Sequence, residues 1–212
     1  MKVKICGITN TADAILAEQS GADAIGFIFY KGSKRYISPE DAKNIIRQLS
    51  PFTMKVGVFV NEDTDTVNMI ASNIKLNAVQ LHGAESPEYI EKIAYPVIKS
   101  FRVEDDFNYS RISNYNGVSI LLDTFSAAEY GGTGFPFNWN LIPVELRSMI
   151  ILAGGISILN IDEVITTVKP AAVDISSSLE KEPGKKDERK IKQFFQIINS
   201  YRSNINGNHD ET

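Results

Sequence analysis

Asp123 closes a short apolar run, Val118 to Leu122, and a loop carrying Gly131, Gly132 and Gly134 follows it. A run this short, bounded by polar residues, reads as a buried strand, and a carboxylate at its carboxyl end stands where α/β folds place their chemistry. Capping or ordering of its own loop is the competing reading for Asp123. Cys6 ends a similar run that begins at Val3. Free cysteines are often inert core residues, but Cys6 shares a strand face with Lys4, while Val3 and Ile5 share the other. The Val3/Ile5 face suits packing against helices, so Cys6 is expected to point into the mouth of the fold. Lys4 would then lie deeper inside and need a carboxylate, for which Asp174 is the candidate.

Two further stretches suit an anion. Gly154 and Gly155 follow the run 149–153, and Ser176, Ser177 and Ser178 follow the run 171–175. Glycines let backbone N–H groups approach phosphate without a Cβ in the way, and the serines add hydroxyl donors. A tight turn and a solvated loop are the plainer readings. Arg35, in the basic loop KGSKRY (31–36), can offer a guanidinium fork to a ligand carboxylate or simply be solvated. Gln80 is as suited to ordering the interior as to touching a ligand. His82, a lone histidine after a strand, is weak evidence for an acid or base.

The elements that must position these residues alternate along the chain. Strands are expected at 3–6, 24–30, 54–60, 78–81, 96–101, 118–123, 149–153 and 171–175. Helices are expected from Asn10 or Thr11 to about Gln19, from Ser38 toward Leu49, at 62–73, after Ser86, at 141–146, at 157–167 and around Ile191–Ile198, with only a weak helix in 104–116. Ser38-Pro39-Glu40-Asp41 and Ser86-Pro87-Glu88 supply a capping serine, a first-turn proline and acids. Residues 179–187, LEKEPGKKD, read as a polar loop. Eight mostly apolar strands alternating with helices require a parallel sheet covered on its faces. The pattern predicts one (β/α)₈ barrel over residues 1–200 with a polar tail at 201–212, somewhat below the usual ~250 residues. An open doubly wound sheet is the alternative, yet neither 3–6 nor 171–175 has a protected-edge pattern.

Composition narrows the partners. The chain has 212 residues, 43% apolar and 23% charged, with a net charge of -4 and an isoelectric point near 5.3. That balance argues against extended nucleic-acid or anionic-membrane surfaces, though not against a small phosphorylated ligand. One cysteine excludes an intrachain disulfide, and two histidines, His82 and His209, leave no multi-histidine metal site. The opening MKVKICGITNTADA lacks a signal-peptide core and no stretch approaches a membrane span, so a cytoplasmic protein is expected.

Ten motifs, taken in order, resemble the phosphoribosylanthranilate isomerase family of tryptophan biosynthesis. They are KICGIT (4–9), GFIFYKGSKRYISP (26–39), VGVFVN (56–61), VQLHG (79–83), LLDT (121–124), GGTG (131–134), FNW (137–139), ILAGGI (151–156), DISS (174–177) and EPGKKD (182–187). The resemblance implies an Amadori rearrangement with Cys6 as general base and Asp123 as general acid. It implies that Arg35 holds the anthranilate carboxylate. Gly154, Gly155 and Ser176–Ser178 hold the sugar phosphate, and Gln80 and Asp174 line or order the site. It implies no cofactor and no metal. Three positions depart from the family pattern: Ser178 for glycine, Lys34 for proline before Arg35, and Asn138 for aspartate before Trp139. These put in question the phosphate loop's shape, the rigidity of loop 31–36 and a helix cap. A sugar-phosphate-binding regulatory barrel without catalysis is the rival from another class. Monomer and homodimer both remain open, with Tyr36, Phe52, Tyr89 and Phe107 as candidate contacts.

Overall fold

The computed structural model describes residues 1–104, 106–123 and 139–207. Eight parallel strands form a closed barrel in sequence order: β1 (Lys2–Ile5), β2 (Ala24–Ile28), β3 (Met54–Phe59), β4 (Ala78–Leu81), β5 (Val97–Arg102), β6 (Ser119–Asp123), β7 (Ile151–Ala153) and β8 (Ala172–Ile175). Closure is direct, because β8 pairs with β1 in the register Lys2↔Ala172 through Ile5↔Ile175. No edge remains in this sheet, which decides between the barrel and the open alternative.

The strands are apolar on both faces because helices cover the outside while the inside is filled by side chains. Val56, Ala78, Ile98, Leu121 and Ala153, with Ala24 and Ile151 against them, form a small apolar cluster within the barrel. Val3, Ile5, Ile25, Phe27, Leu81, Leu122 and Val173 face the other way, into the larger core shared with the helices. The helices start where their caps predict. Asn10 caps α1 (Thr11–Ser20) through Asp13, and Ser38 caps α2 (Pro39–Ile46) through Asp41. Asp63 caps α3 (Thr64–Ile74), and Ser86 caps the single turn α4 (Pro87–Ile90). Gly21 ends α1 at φ +113°, a conformation a side chain would resist.

Several expected boundaries move. The weak helix of 104–116 is a 3₁₀ segment, Tyr109–Asn114. The expected helix at 141–146 is broken at Pro143 into a 3₁₀ turn (Trp139–Leu141) and α5 (Val144–Arg147). The expected helix at 157–167 starts later, as α6 (Ile161–Glu163), and continues as a π turn through Val168. Its first residues instead form a turn in which Asn160 accepts from the Ser157 N–H and donates to the Gly155 carbonyl. The stretch 179–187, polar-loop-like in sequence, forms a hairpin of β9 (Glu180–Glu182) and β10 (Lys185–Lys186), turning on Gly184 at φ +82°. The last helix, α7 (Glu188–Gly207), runs past the expected start of a tail at 201, and Arg202 reaches the Gly21 carbonyl and Asp23. Residues 208–212, with His209, lie outside the described residues.

One buried ion pair stiffens the barrel mouth. Lys99, on the helix-facing side of β5 with Val97 and Phe101, bonds the Glu85 carboxylate at 2.7 Å and the Gly83 carbonyl at 2.7 Å. Glu85 also accepts the N–H groups of Asn61 and Gly83, so the loops after β3 and β4 share one anchor. Burial pushes the Glu85 carboxyl up, but Lys99 and the Asn61 N–H outweigh it and hold the group below its ordinary range. A carboxyl held low stabilises the fold above its unfolded pKa, about 4.3, and that contribution is lost as pH falls through the lower folded value. Glu85→Gln should therefore cost about 3–5 kcal/mol near neutrality by leaving Lys99 without its carboxylate. In urea titrations the difference from the wild type should shrink on acidification.

Candidate active site

Side chains that point inward near the carboxyl ends of the strands meet in one polar layer above the apolar cluster. Register places Lys4 beside Asp174, and the Lys4 ammonium bonds Asp174 Oδ2 at 2.7 Å. It also bonds Gln80 Oε1, across the barrel, at 2.8 Å. The parity argument for β1 therefore holds: Lys4 is buried inside, with the predicted partner. Cys6, one residue beyond β1, lies on the same side and its thiol meets the Lys4 ammonium. Gly26 of β2 makes room for both. A Cβ there would sit 2.8 Å from Cys6 Sγ and 3.0 Å from Lys4 Cε, so only glycine lets them pack as they do.

Electrostatics here oppose one another. Burial lowers the Lys4 ammonium, but Asp174 and the Cys6 thiol more than offset it and leave it above its ordinary value. Burial is also the largest influence on Cys6 and pushes the thiol up, while Lys4 and Lys186 pull it back only in part. A lowered thiol would have suited a base better; enclosure outweighs the ammonium groups.

Asp123 ends β6 on the far side of the same mouth, its side chain 26% exposed. Its Oδ2 lies 3.2 Å from His82 Nε2, and His82 Nδ1 lies 3.1 Å from Gln80 Nε2. Cys6, Lys4, Gln80, His82 and Asp123 thus form one continuous polar chain across the opening.

Arg35 reaches this layer from the loop after β2, its stem lying over Gly7. A Cβ on Gly7, which has φ +74°, would be 2.7 Å from Arg35 Cδ. The guanidinium is already gripped: Nε and Nη2 bond the Glu180 carboxylate at 2.9 and 2.7 Å. That grip uses the Nε/Nη2 edge of the fork. Burial pushes the Glu180 carboxyl up, but Arg35 and Lys186 hold it below its ordinary range. Lys186 bonds Glu180 at 3.0 Å and the carbonyls of Cys6 and Ser176. Lys34 does not leave this loop unsupported. Ser33 Oγ accepts the Arg35 N–H, and Tyr36 bridges to Ile28 of β2.

The two small-residue turns stand beside one another after β7 and β8. Gly154 and Gly155 both take left-handed conformations, φ 82° and 64°. Ser176 Oγ donates to the Cys6 carbonyl, and Ser178 Oγ donates to the Ile156 carbonyl at 2.6 Å. These two hydroxyls tie loops together in this structure. Ser178 needs no positive φ, and its bond joins the second turn to the first. A 3₁₀ turn at Ser177–Leu179 follows, whose first N–H groups lack intrahelical acceptors. The motifs GGTG and FNW fall wholly or partly outside the described residues, as does Asn138.

Glu180 and Lys186 were not singled out from the sequence, because a charged stretch reads as solvated; the Pro-Gly pair at 183–184 was the available turn signal. Lys186 bonds the carbonyl of Cys6 and acts on its thiol, and because Cys6 is the one cysteine of the chain its reactivity is directly measurable. Alkylation of Cys6 by iodoacetamide, followed by mass, should rise with pH to a midpoint above that of an ordinary thiol, about 8.5. A midpoint below that value would contradict the dominance of burial.

Residues 3–197 match the family model described as N-(5'-phosphoribosyl)anthranilate (PRA) isomerase. N-(5'-phosphoribosyl)anthranilate isomerase of Thermotoga maritima is 50% identical over 199 residues, which is 92% of this chain and 97% of that protein. A phosphoribosyl anthranilate isomerase solved with reduced 1-(o-carboxyphenylamino)-1-deoxyribulose 5-phosphate is 46% identical, with a TM-score of 0.82, covering 92% of this chain and 97% of that one. A structure of monomers of the dimeric phosphoribosylanthranilate isomerase of T. maritima is 43% identical, with a TM-score of 0.83, covering 94% and 99%. By its sequence over nearly its whole length, and by a barrel of the same architecture, the chain belongs to the N-(5'-phosphoribosyl)anthranilate isomerase family.

Proposed function

We propose that this protein converts N-(5-phosphoribosyl)anthranilate to 1-(2-carboxyphenylamino)-1-deoxyribulose 5-phosphate, with Cys6 as base and Asp123 as acid. The observation that carries the reading is the polar chain that spans one barrel mouth from Cys6 to Asp123. Thiol and carboxylate stand at its two ends, and Arg35 and the turn after β8 lie next to the Cys6 end.

The chemistry follows from what each group can hold or release. Asp123 in its neutral form gives a proton to the ribose ring oxygen as the C1′–O4′ bond breaks, and the anthranilate nitrogen supplies the electrons that leave a protonated imine. That imine acidifies the C2′–H bond. Cys6 as thiolate removes the proton and becomes a thiol, giving the enolamine, which takes a proton at C1′ and loses its hydroxyl proton to become the ketone. Reactant and product are isomers, so the rearrangement has no net redox change. Lys4 favours the thiolate against the enclosure that opposes it. Asp123 is partly exposed without ligand, and the sugar ring would cover it.

Binding holds the reacting carbons between those groups. The guanidinium of Arg35 suits the anthranilate carboxylate, with Glu180 fixing the plane of the fork. The backbone of Gly154–Gly155 and of the turn at Ser176–Ser178 suits the phosphate, and Gln80 and Asp174 order the space between. Asp123→Asn and Cys6→Ser should each lower kcat by at least about 10²-fold. Affinity for the reduced deoxyribulose phosphate should stay within about threefold, because neither group supplies the clamps. Near-normal turnover in either variant would remove that residue from its role. Binding without turnover in the wild type would favour the regulatory barrel.

We also infer a homodimer. Phe52, on the loop before β3, is 95% exposed, and neighbouring Met54 is 46% exposed. A relative at 43% identity is described as dimeric, and an exposed aromatic ring beside an exposed methionine is suited to contact with a second copy. Sedimentation should give a dimer for the wild type and a monomer for Phe52→Glu; identical masses for the two would remove Phe52 from any contact.

A further inference from the structure

His82 is absorbed neither by the acid–base pair nor by the binding clamps, yet it stands between Gln80 and Asp123. Its protonation pattern follows from a group three links away. The Lys4 ammonium has only hydrogens to offer, so the Gln80 amide atom at 2.8 Å must be its oxygen. The other end of that amide, 3.1 Å from His82 Nδ1, is then the NH₂ group. An NH₂ group can only donate, so His82 Nδ1 must accept and carries no hydrogen. A neutral imidazole with a bare Nδ1 has its hydrogen on Nε2, and Nε2 lies 3.2 Å from Asp123 Oδ2.

We propose that His82 is a positioning residue for Asp123: the chain from Lys4 holds the imidazole as its Nε2–H tautomer, and that N–H fixes the Asp123 carboxyl so that Oδ1 delivers the proton. The assignment of roles to Asp123 rests on the isomerase reading; the tautomer does not. Oδ2 is occupied as an acceptor, which leaves Oδ1 as the oxygen that carries hydrogen toward the substrate. Once that hydrogen has gone, the same N–H stabilises the carboxylate left behind. The backbone that carries the ring is held firmly. The His82 backbone N–H bonds the Phe59 carbonyl, and the backbone of the next residue, Gly83, is pinned by Lys99 and Glu85. Lys4 therefore orients the acid through Gln80 and His82 while touching the base directly.

The test combines a spectroscopic and a kinetic readout. Protein labelled with ¹⁵N-histidine and carrying His209→Gln has one imidazole, and two-bond ¹H–¹⁵N correlations at about pH 8 read its tautomer. The wild-type sequence at 82 should show hydrogen on Nε2 alone. Gln80→Glu replaces the donor with a second acceptor, so the hydrogen should move to Nδ1. That variant should lose about 10²-fold in kcat with KM within about threefold. His82→Leu should lose a similar factor, and His82→Gln, whose amide can still donate near the Nε2 position, should recover at least a tenth of wild-type kcat. Hydrogen on Nδ1 in the wild-type site would overturn the proposal. So would a tautomer unchanged by Gln80→Glu, or normal kcat in His82→Leu. If the wild type fails to turn over phosphoribosylanthranilate, the isomerase reading falls, and the spectra still decide the tautomer.

Discussion

A lysine ammonium enclosed by a β-barrel is the constraint around which this mouth is arranged. Removing such a charge from water costs several kcal/mol even after relaxation, so Lys4 persists only where enough acceptors surround it. Asp174 on the adjoining strand and Gln80 across the barrel meet that demand, and their geometry is fixed by register and by inward parity. Once Lys4 is satisfied, much else follows. Gly26 must lack a side chain, the Gln80 amide has one orientation, and the Cys6 thiol has a cation beside it.

A second buried lysine repeats the logic at the rim. Lys186 has its charge balanced by Glu180 and its remaining hydrogens taken by the carbonyls of Cys6 and Ser176. Burial lowers this ammonium, and Glu180 only partly restores it. The hairpin that carries both residues is clamped to the first helix by Asp13, which accepts the Lys186 N–H, and to the loop before that helix by Thr9, which donates to the Gly184 carbonyl. Glu180 is shared between Lys186 and Arg35, so the rim is one connected ionic network. Its stiffness comes from the number of shared partners, not from any single pair.

The sequence made some of this legible and hid the rest for identifiable reasons. Strand parity placed Lys4 and named Asp174 because period-two alternation leaves a side chain only two directions. Helix caps at Ser38 and Ser86 are local chemistry and stand where the sequence puts them. The hairpin at 180–186 was hidden because its charged residues are buried by pairing across distance: Glu180 meets Arg35, which lies 145 residues earlier. Nothing local distinguishes such a carboxylate from a solvated one. The late start of the helix after β7 has a similar cause. Asn160 is spent on ordering the turn beside Gly155, so the apolar period begins before the helix does. The direction of the Cys6 shift was equally unreadable, since it is the balance of burial against two lysines.

The division of the barrel into layers explains how such a costly mouth is tolerated. Below it, Val56, Ala78, Ile98 and Leu121 pack without polar atoms and need only volume and shape. Above it, each buried charge is matched by an opposite charge or by carbonyls, and these matches fix either a residue beside the opening or the backbone of a loop that frames it. Replacing these pairs by apolar side chains would relieve desolvation and would remove the directions they impose. Hydrogen bonds have a donor end and an acceptor end; apolar contacts do not. A site that must release a proton from one atom and accept it at another needs that polarity. The ionic layer supplies it, while the apolar layer and the surrounding helices supply the stability that offsets its cost.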